Sequence, residues 1–395
     1  MSGKRLIIVA ASASEPGQMG GNTKIAIEMA RNLPELGWDV VVVVPEEKKA
    51  TFTGNLGEVK GVAYCTFALF RGNDLLCPVA SAGYYLREFE KAFAKLGVGA
   101  NDIVYSVCNF HYEIVALSLL KRKFSYKYLA THYLFSPFIV ENIVRRYRFP
   151  AVKYLLVWLY ERFFFIWAKI FADGFVITND SDRHHFSKRA QRQVLAIYGG
   201  VNVDQIPPKA APKTRDVVFC SRLHPQKGVE GLLDIWRLVV QTMPNAKLSI
   251  IGNGSAAYEK KLRDKANAIG IANNIEWLGY VNNEAKYGIY ASAKVFVHAT
   301  VFDNNGMVAA EALCSGLPVA MYDLAPLRDV YTKGCAKVPY GDKPAFAREL
   351  VRLLKDDGYR AGVAPDAETL SALRAYWNWP SRAKLMADFL EKFCG

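Results

Sequence analysis

Two carboxylates stand apart from their surroundings in VFDNNGMVAAEALCSGLPVA, residues 301–320. With histidine taken as neutral, Asp303 and Glu311 are the only charges between Lys294 and Asp323. Glu311 falls inside an apolar run, Met307 to Leu313, that reads as a buried helix. A carboxylate in such a place is destabilising unless something polar meets it. Either a local cap or cation answers it, or it is placed for a ligand. Asp303 stands just before the helix, where it can cap the helix or face the same ligand.

Cations that suit an anionic ligand occur upstream. In VVFCSRLHPQKGVEGLLDIW a strand delivers Arg222 and then Lys227 ahead of a helix. A guanidinium fork and a point charge on one loop suit a diphosphate, and they equally suit a solvated loop. Glycine loops follow other strands: Gly17, Gly20 and Gly21 in EPGQMGGNTKIAIEMA, Gly252 and Asn253 in IIGNGSAAYEKKL, and Gly279 in WLGYVNN. Glycine lets a backbone approach a ligand closely, and the helix N-terminus that follows favours an anion. The first loop is not GxGxxG, and Val44 is followed by Pro45 instead of an acidic residue, so a dinucleotide fingerprint is not expected. His111 and His132 each follow a strand, as packed histidines or as groups facing a ligand. Asp180-Ser181-Asp182 has the DxD form of a metal-holding motif, but it opens a helix, so Asp180 or Ser181 is read as its N-cap. His184 and His185 read as surface residues of that helix.

The elements that must position these residues alternate between strand and helix, which predicts parallel α/β architecture. Strands are expected at Arg5–Ala10, Asp39–Val44, Asp102–Ser106, Tyr126–Thr131 and Gly174–Thr178. A second set is expected at Asp216–Cys220, Lys247–Ile251, Asn274–Trp277, Val295–His298 and Pro318–Met321. VVVVV and LSIIG lack alternation, as strands covered on both faces do. Loops after the strands of a doubly wound sheet share one edge, where ligands bind. At 395 residues the chain is long enough for two cores. The proline-rich stretch IPPKAAPKTRD places the boundary near residue 205, giving domains 1–205 and 206–375 and a helical segment 376–395.

Composition narrows the partners. Seven scattered cysteines show neither a CxxC pair nor metal-ligand spacing, so reduced thiols and no metal are expected. MSGKRLIIVAASAS reads as a first strand and not as a targeting segment. The net charge is +13, and nine Lys or Arg between Lys121 and Arg162 face only Glu141 and Glu161. Such a patch attracts polyanions, but no nucleic-acid module is present and no nucleic-acid partner is expected. The aromatic segment RRYRFPAVKYLLVWLYERFFFIWAKIFADG, which contains 145–172, carries charges too often to span a bilayer. It is read either as a core helix or as a peripheral membrane contact.

Taken in order, the early GG, SRLHPQKG, IGNGS, LGYVNNEAKYGIYASAKVFVHAT and DNNGMVAAEALCSGLPV resemble the retaining glycosyltransferases of the GT-B fold, in particular glycosyltransferase family 4. The resemblance covers nearly the whole chain and implies two doubly wound Rossmann-like domains facing a central cleft. It implies transfer of a sugar from a nucleotide-diphosphate sugar to a hydroxyl acceptor, with retention and with neither metal nor other cofactor. By this resemblance Glu311 accepts from the ribose hydroxyls, and Arg222 and Lys227 hold the diphosphate and stabilise its departure. Gly20, Gly21, Gly252, Asn253, Gly279 and the backbone at Asn305, Gly306 and Met307 complete the donor site. Thr131-His132 matches a family pattern near the transferred sugar, and His111 is a candidate on the acceptor side. Asp303 keeps the family's seven-residue separation from Glu311 but stands where Glu is usual. The acceptor would be a glycan or a lipid-linked compound met in the cytoplasm, at a membrane face, and the terminal helix would cross back onto the first domain. Two other readings remain open here: a nucleotide-sugar epimerase of the same fold, and a membrane-docking protein without turnover.

Overall fold

The computed structural model describes residues 4–15, 19–57, 59–74, 77–135, 151–208 and 211–394, with 151–154 and 394 as backbone only. The chain packs as two units, Met1–Gly199 with Trp379–Gly395, and Gly200–Asn378.

The first unit holds a parallel sheet of β1 (Lys4–Val9), β2 (Trp38–Pro45), β3 (Val62–Phe67), β4 (Asp102–Ser106), β5 (Lys127–His132), β6 (Gly174–Ile177) and β7 (Val194–Ala196). Their spatial order is β3-β2-β1-β4-β5-β6-β7. The second unit holds β8 (Arg215–Cys220), β9 (Leu248–Ile251), β10 (Ile275–Gly279), β11 (Ala293–His298), β12 (Val319–Tyr322) and β13 (Cys335–Val338), in the order β10-β9-β8-β11-β12-β13. In both sheets the winding reverses beside the first strand, between β1 and β4 and between β8 and β11. Such a reversal opens a crevice at the carboxyl ends of the strands. Leu6 to Val9, Val40 to Val44 and Val295 to Val297 are buried, as unalternating apolar strands between two helical layers must be.

The ten expected strands form, shifted at their ends by a residue or two. β3, β7 and β13, which the sequence reading did not anticipate, are all edge strands. Each is short or only half covered, so none needs the continuous apolar run that marks a central strand.

The helices of the first unit are α1 (Gly21–Asn32), α2 (Lys49–Leu56), α3 (Pro78–Leu96), α4 (His111–Phe124) and α5 (Ala151–Phe171). Those of the second are α6 (Val229–Thr242), α7 (Ala256–Ala268), α8 (Asn283–Ser292), α9 (Met307–Cys314), α10 (Ala325–Arg328), α11 (Lys343–Lys355), α12 (Asp357–Val363) and α13 (Ala367–Trp377). Their boundaries follow local chemistry. Pro78 opens α3 and left-handed Gly97 ends it, while Asn282 caps α8 by accepting from Ala285 N at 2.9 Å. The last helix, α14 (Trp379–Cys394), returns to the first unit and buries Trp379, Ala383, Met386, Leu390 and Phe393 there. Lys127 Nζ donates to Phe393 O at 2.8 Å, and Lys4 pairs with Glu391 at 2.7 Å. Among the described residues no helix is long and apolar enough to cross a membrane.

Candidate active site

At the carboxyl edge of the second sheet, loops after four strands are stitched together through their backbones. Ser221 N donates to Ile251 O at 3.1 Å, Leu223 N to Asn253 O at 2.8 Å, and Gly252 N to Gly279 O at 2.7 Å. On the other side, Val301 N donates to Gln226 O at 3.0 Å and Gln226 Nε2 to Phe302 O at 2.9 Å. Two glycines allow this approach. Gly228, at φ 71°, would place a Cβ 1.9 Å from Ala299 O, and Gly252, at φ 125°, would place one 1.9 Å from Ser221 O. The sequence reading gave Gly252 to a ligand's approach; on its Cβ side a neighbouring loop comes close as well. A preformed backbone cradle follows from that packing.

The charged groups stand on this cradle. Lys227, which closes a short 3₁₀ turn, pairs through Nζ with Asp303 Oδ2 at 2.7 Å. Asp303 Oδ1 accepts from three successive amides, Asn304 N at 2.9 Å and Asn305 N and Gly306 N at 3.2 Å each. The carboxylate thus caps the loop before α9, while the residue at the helix N-cap is Gly306. Burial raises the Asp303 pKa, but Lys227 and His298 outweigh it and hold the group well below the usual carboxylate range. His298 ends β11 with Nε2 3.7 Å from Asp303 Oδ2. Arg222 is exposed, and it joins Lys227 and burial in depressing the pKa of His224 between them. Asn253, Gly279, Asn305 and Met307 are partly or fully accessible on the same loops.

Glu311 is 7 % exposed within α9, and the polar partner its burial demands is Lys286 of α8, whose Nζ lies 2.8 Å from Oε2. Burial presses the Lys286 pKa down, and Glu311 and the neighbouring Cys220 raise it further, so the ammonium is held charged. Cys220 ends β8, which places this pair at the switch point as well. The Tyr331 hydroxyl, 2.8 Å from both Asn305 O and Gly306 O, fixes the turn into α9. Lys286, His298, Tyr331 and Gln226 escaped the sequence reading. A signal existed for two of them: His298 lies at the end of an apolar strand, and Lys286 is a cation on an otherwise half-buried helix.

The remaining candidates lie in the first unit. Gly20 is the N-cap of α1, and its amide donates to Ser14 Oγ at 2.8 Å, with Gly21 the first helical residue. His132, at the end of β5, is 1 % exposed, with Nε2 3.3 Å from Glu161 Oε1 and its ring 3.9 Å from that of Phe135. His111 is held on both nitrogens, Nε2 by Ser81 Oγ at 3.0 Å and Nδ1 by the Tyr160 hydroxyl at 2.6 Å. Burial lowers its pKa. Two local expectations are corrected. Asn179, and neither Asp180 nor Ser181, caps the turn at the DxD, accepting from Ser181 N at 2.9 Å. His185 is only half-exposed, since it stacks on Phe135 at 4.0 Å, and burial lowers its pKa to about 4. Among the described residues no group of three or more His, Cys, Asp or Glu is arranged to hold a metal ion.

Residues 214–356, which contain both charged pairs, match the family described as glycosyl transferases group 1. Over those residues the chain is similar to the group 1 glycosyltransferases, and its fold is GT-B. A phosphatidyl-myo-inositol mannosyltransferase of Mycobacterium leprae is 32 % identical over 215 residues, 51 % of this chain and 55 % of that protein. The chain therefore spans about half the length of the curated relatives it matches. Among solved structures, the sucrose-phosphate synthase of Thermosynechococcus elongatus superposes with a TM-score of 0.77 at 16 % identity, covering 98 % of each chain. Anabaena HepE in complex with UDP and glucose gives 0.71 at 16 % identity, over 98 % of this chain and 99 % of that one. At such identities the likeness concerns the fold, which is the GT-B architecture expected from the sequence.

Proposed function

We propose that the protein transfers a sugar from a nucleotide-diphosphate sugar to a hydroxyl acceptor, with retention and without a metal. The observation that carries this reading is the placement of two charged pairs, Lys227–Asp303 and Lys286–Glu311, at the switch-point edge of the domain that is similar to the group 1 glycosyltransferases. Lys286 engages Oε2 of Glu311, and a carboxylate has about four lone-pair sites, so Oε1 is left for the two ribose hydroxyls. Arg222 and Lys227 meet the diphosphate beside the turn Asn305 to Met307, whose Asn305 and Gly306 amides are held by Asp303 Oδ1, and Asn253, Gly252 and Gly279 line the base. Asp303 acts at the donor sugar while keeping Lys227 and the loop in place. In the first unit, His132 and His111 are the candidates on the acceptor side, with Gly20 and Gly21 at the start of α1.

In the step itself the bond from the anomeric carbon to the β-phosphate oxygen breaks, and a bond to the acceptor oxygen forms on the same face. The hydroxyl proton passes to the departing diphosphate. Fixed cations stabilise the negative charge that develops there. The acceptor is a glycan or lipid-linked compound met in the cytoplasm, and residues 145–172, described from 151 onward, contact its membrane. Epimerisation and binding without turnover are not favoured by the family match.

The test is the thermal shift of the protein with UDP-, GDP- and ADP-sugars in the presence of a chelator. A ligand at a hundredfold over its dissociation constant stabilises by about 2.7 kcal/mol. One nucleotide is expected to do so, and both Glu311→Ala and the exposed Arg222→Ala should abolish the response. Absence of any response from the native protein would overturn the donor site.

A further inference from the structure

Helix α5 presents an apolar face to solvent. Leu155, Leu156, Leu159, Phe163, Ile166 and Ile170 are all exposed, Phe163 by 58 % and Ile170 by 68 %. At the helical rotation of 3.6 residues per turn these six side chains fall within an arc of about 100°. The opposite side holds Phe165 and Ala168, buried in the core of the first unit, and Glu161, which is turned inward to His132. These six side chains form one continuous stripe, the form that marks an interaction surface, while Val157, also exposed, lies off it.

Cations border the stripe. Along one edge run Arg162, whose guanidinium lies 5.5 Å from the rings of Phe135 and Trp158, and exposed Lys169, whose ammonium lies 5.3 Å from the ring of Phe165 and donates to His185 O at 3.2 Å. At the C-terminal end exposed Arg122 sits 5.6 Å from the ring of Phe171. Glu161 is the only acidic residue of α5, and it does not share the outward face. We infer that α5 lies in the headgroup region of an anionic bilayer, with the Leu155–Ile170 stripe among the acyl chains and Arg122, Arg162 and Lys169 toward lipid phosphates. A second copy of the chain fits less well, because a two-fold contact through this stripe sets the same cationic edges against each other. This deepens the membrane contact proposed above for residues 145–172, and it holds whether or not the donor site is assigned correctly.

The experiment is sedimentation of the full chain with vesicles of phosphatidylcholine alone and of phosphatidylcholine with phosphatidylglycerol, with light scattering of the free protein. The native chain is expected on the anionic vesicles, about tenfold more weakly on the neutral ones. Phe163→Ser/Ile166→Ser/Ile170→Ser should lower that binding by about tenfold or more with an unchanged melting profile, since the three side chains touch solvent. Arg122→Glu/Lys169→Glu should weaken binding to anionic vesicles and leave binding to neutral ones unchanged. The inference is overturned if the native chain stays in the supernatant, if the triple variant sediments as the native chain does, or if its main effect is to halve a dimeric mass.

Discussion

Lys286 and Glu311 are each destabilising alone and tolerable together. Removing one member strands a buried charge, which costs about 3 kcal/mol. Lys286→Met and Glu311→Ala should each lower the urea midpoint accordingly, whereas Lys286→Met/Glu311→Leu should recover most of the loss. The double variant should still fail to respond to any nucleotide sugar; a retained response would mean that Glu311 serves only to neutralise Lys286. The Lys286 pKa is raised, so the pair's contribution is complete below the unfolded lysine's value and fades only as pH rises through the folded one. At this scale the need for a partner was legible, because Glu311 is surrounded by apolar neighbours in the chain. The partner's identity was not, since Lys286 is brought to it by the packing of α8 on the sheet. Asp303 was half legible: its place before a helix announced a cap, but three amides of one loop and a distant lysine meet only in the folded chain.

Packing of loop against loop governs the elements. Gly228→Ala and Gly252→Ala each force a methyl group into a carbonyl oxygen and add the strain of a left-handed side-chain residue, so each should cost about 3 kcal/mol or more. Each should also loosen the nucleotide response, because the stitched cradle opens. Gly270→Ala is the control: its φ is also positive, at 75°, yet nothing lies near its Cβ, and the loss there should be about 1 kcal/mol. Denaturation midpoints of the three variants check this; equal losses would mean that backbone strain alone matters. Central strands were readable because burial on both faces leaves an uninterrupted apolar run. β3, β7 and β13 were not, since an edge needs only one covered face. Gly252 was marked for a ligand and Gly228 was not marked at all, because what approaches a glycine depends on tertiary structure that no local pattern contains.

For the whole molecule, stability against pH is set partly by two groups of the first unit, buried Glu113 and half-buried His185. Glu113 of α4 accepts from Ser12 N at 3.1 Å, yet burial raises its pKa to about 7. Its contribution is full below the unfolded value of 4.5 and is lost as pH rises through about 7. His185 acts in the opposite sense, its contribution present above 6.5 and lost as pH falls toward about 4. The slopes oppose each other in mildly acid solution, and above neutrality only the loss from Glu113 remains. Glu113→Gln, which mimics the protonated acid, should match the native protein near the acid end and exceed it by up to about 3 kcal/mol in alkaline solution. Denaturation at both pH values checks the sign. The return of α14 to the first unit has a consequence for biosynthesis. The ribosome makes β1 early and Trp379–Cys394 only after the entire second unit has emerged. Domains fold as their residues appear, so the unit begun second has all its residues before the unit begun first. Until then the nascent first sheet leaves uncovered the face that Trp379, Leu390 and Phe393 will close, and that interval is when the chain has most need of a chaperone.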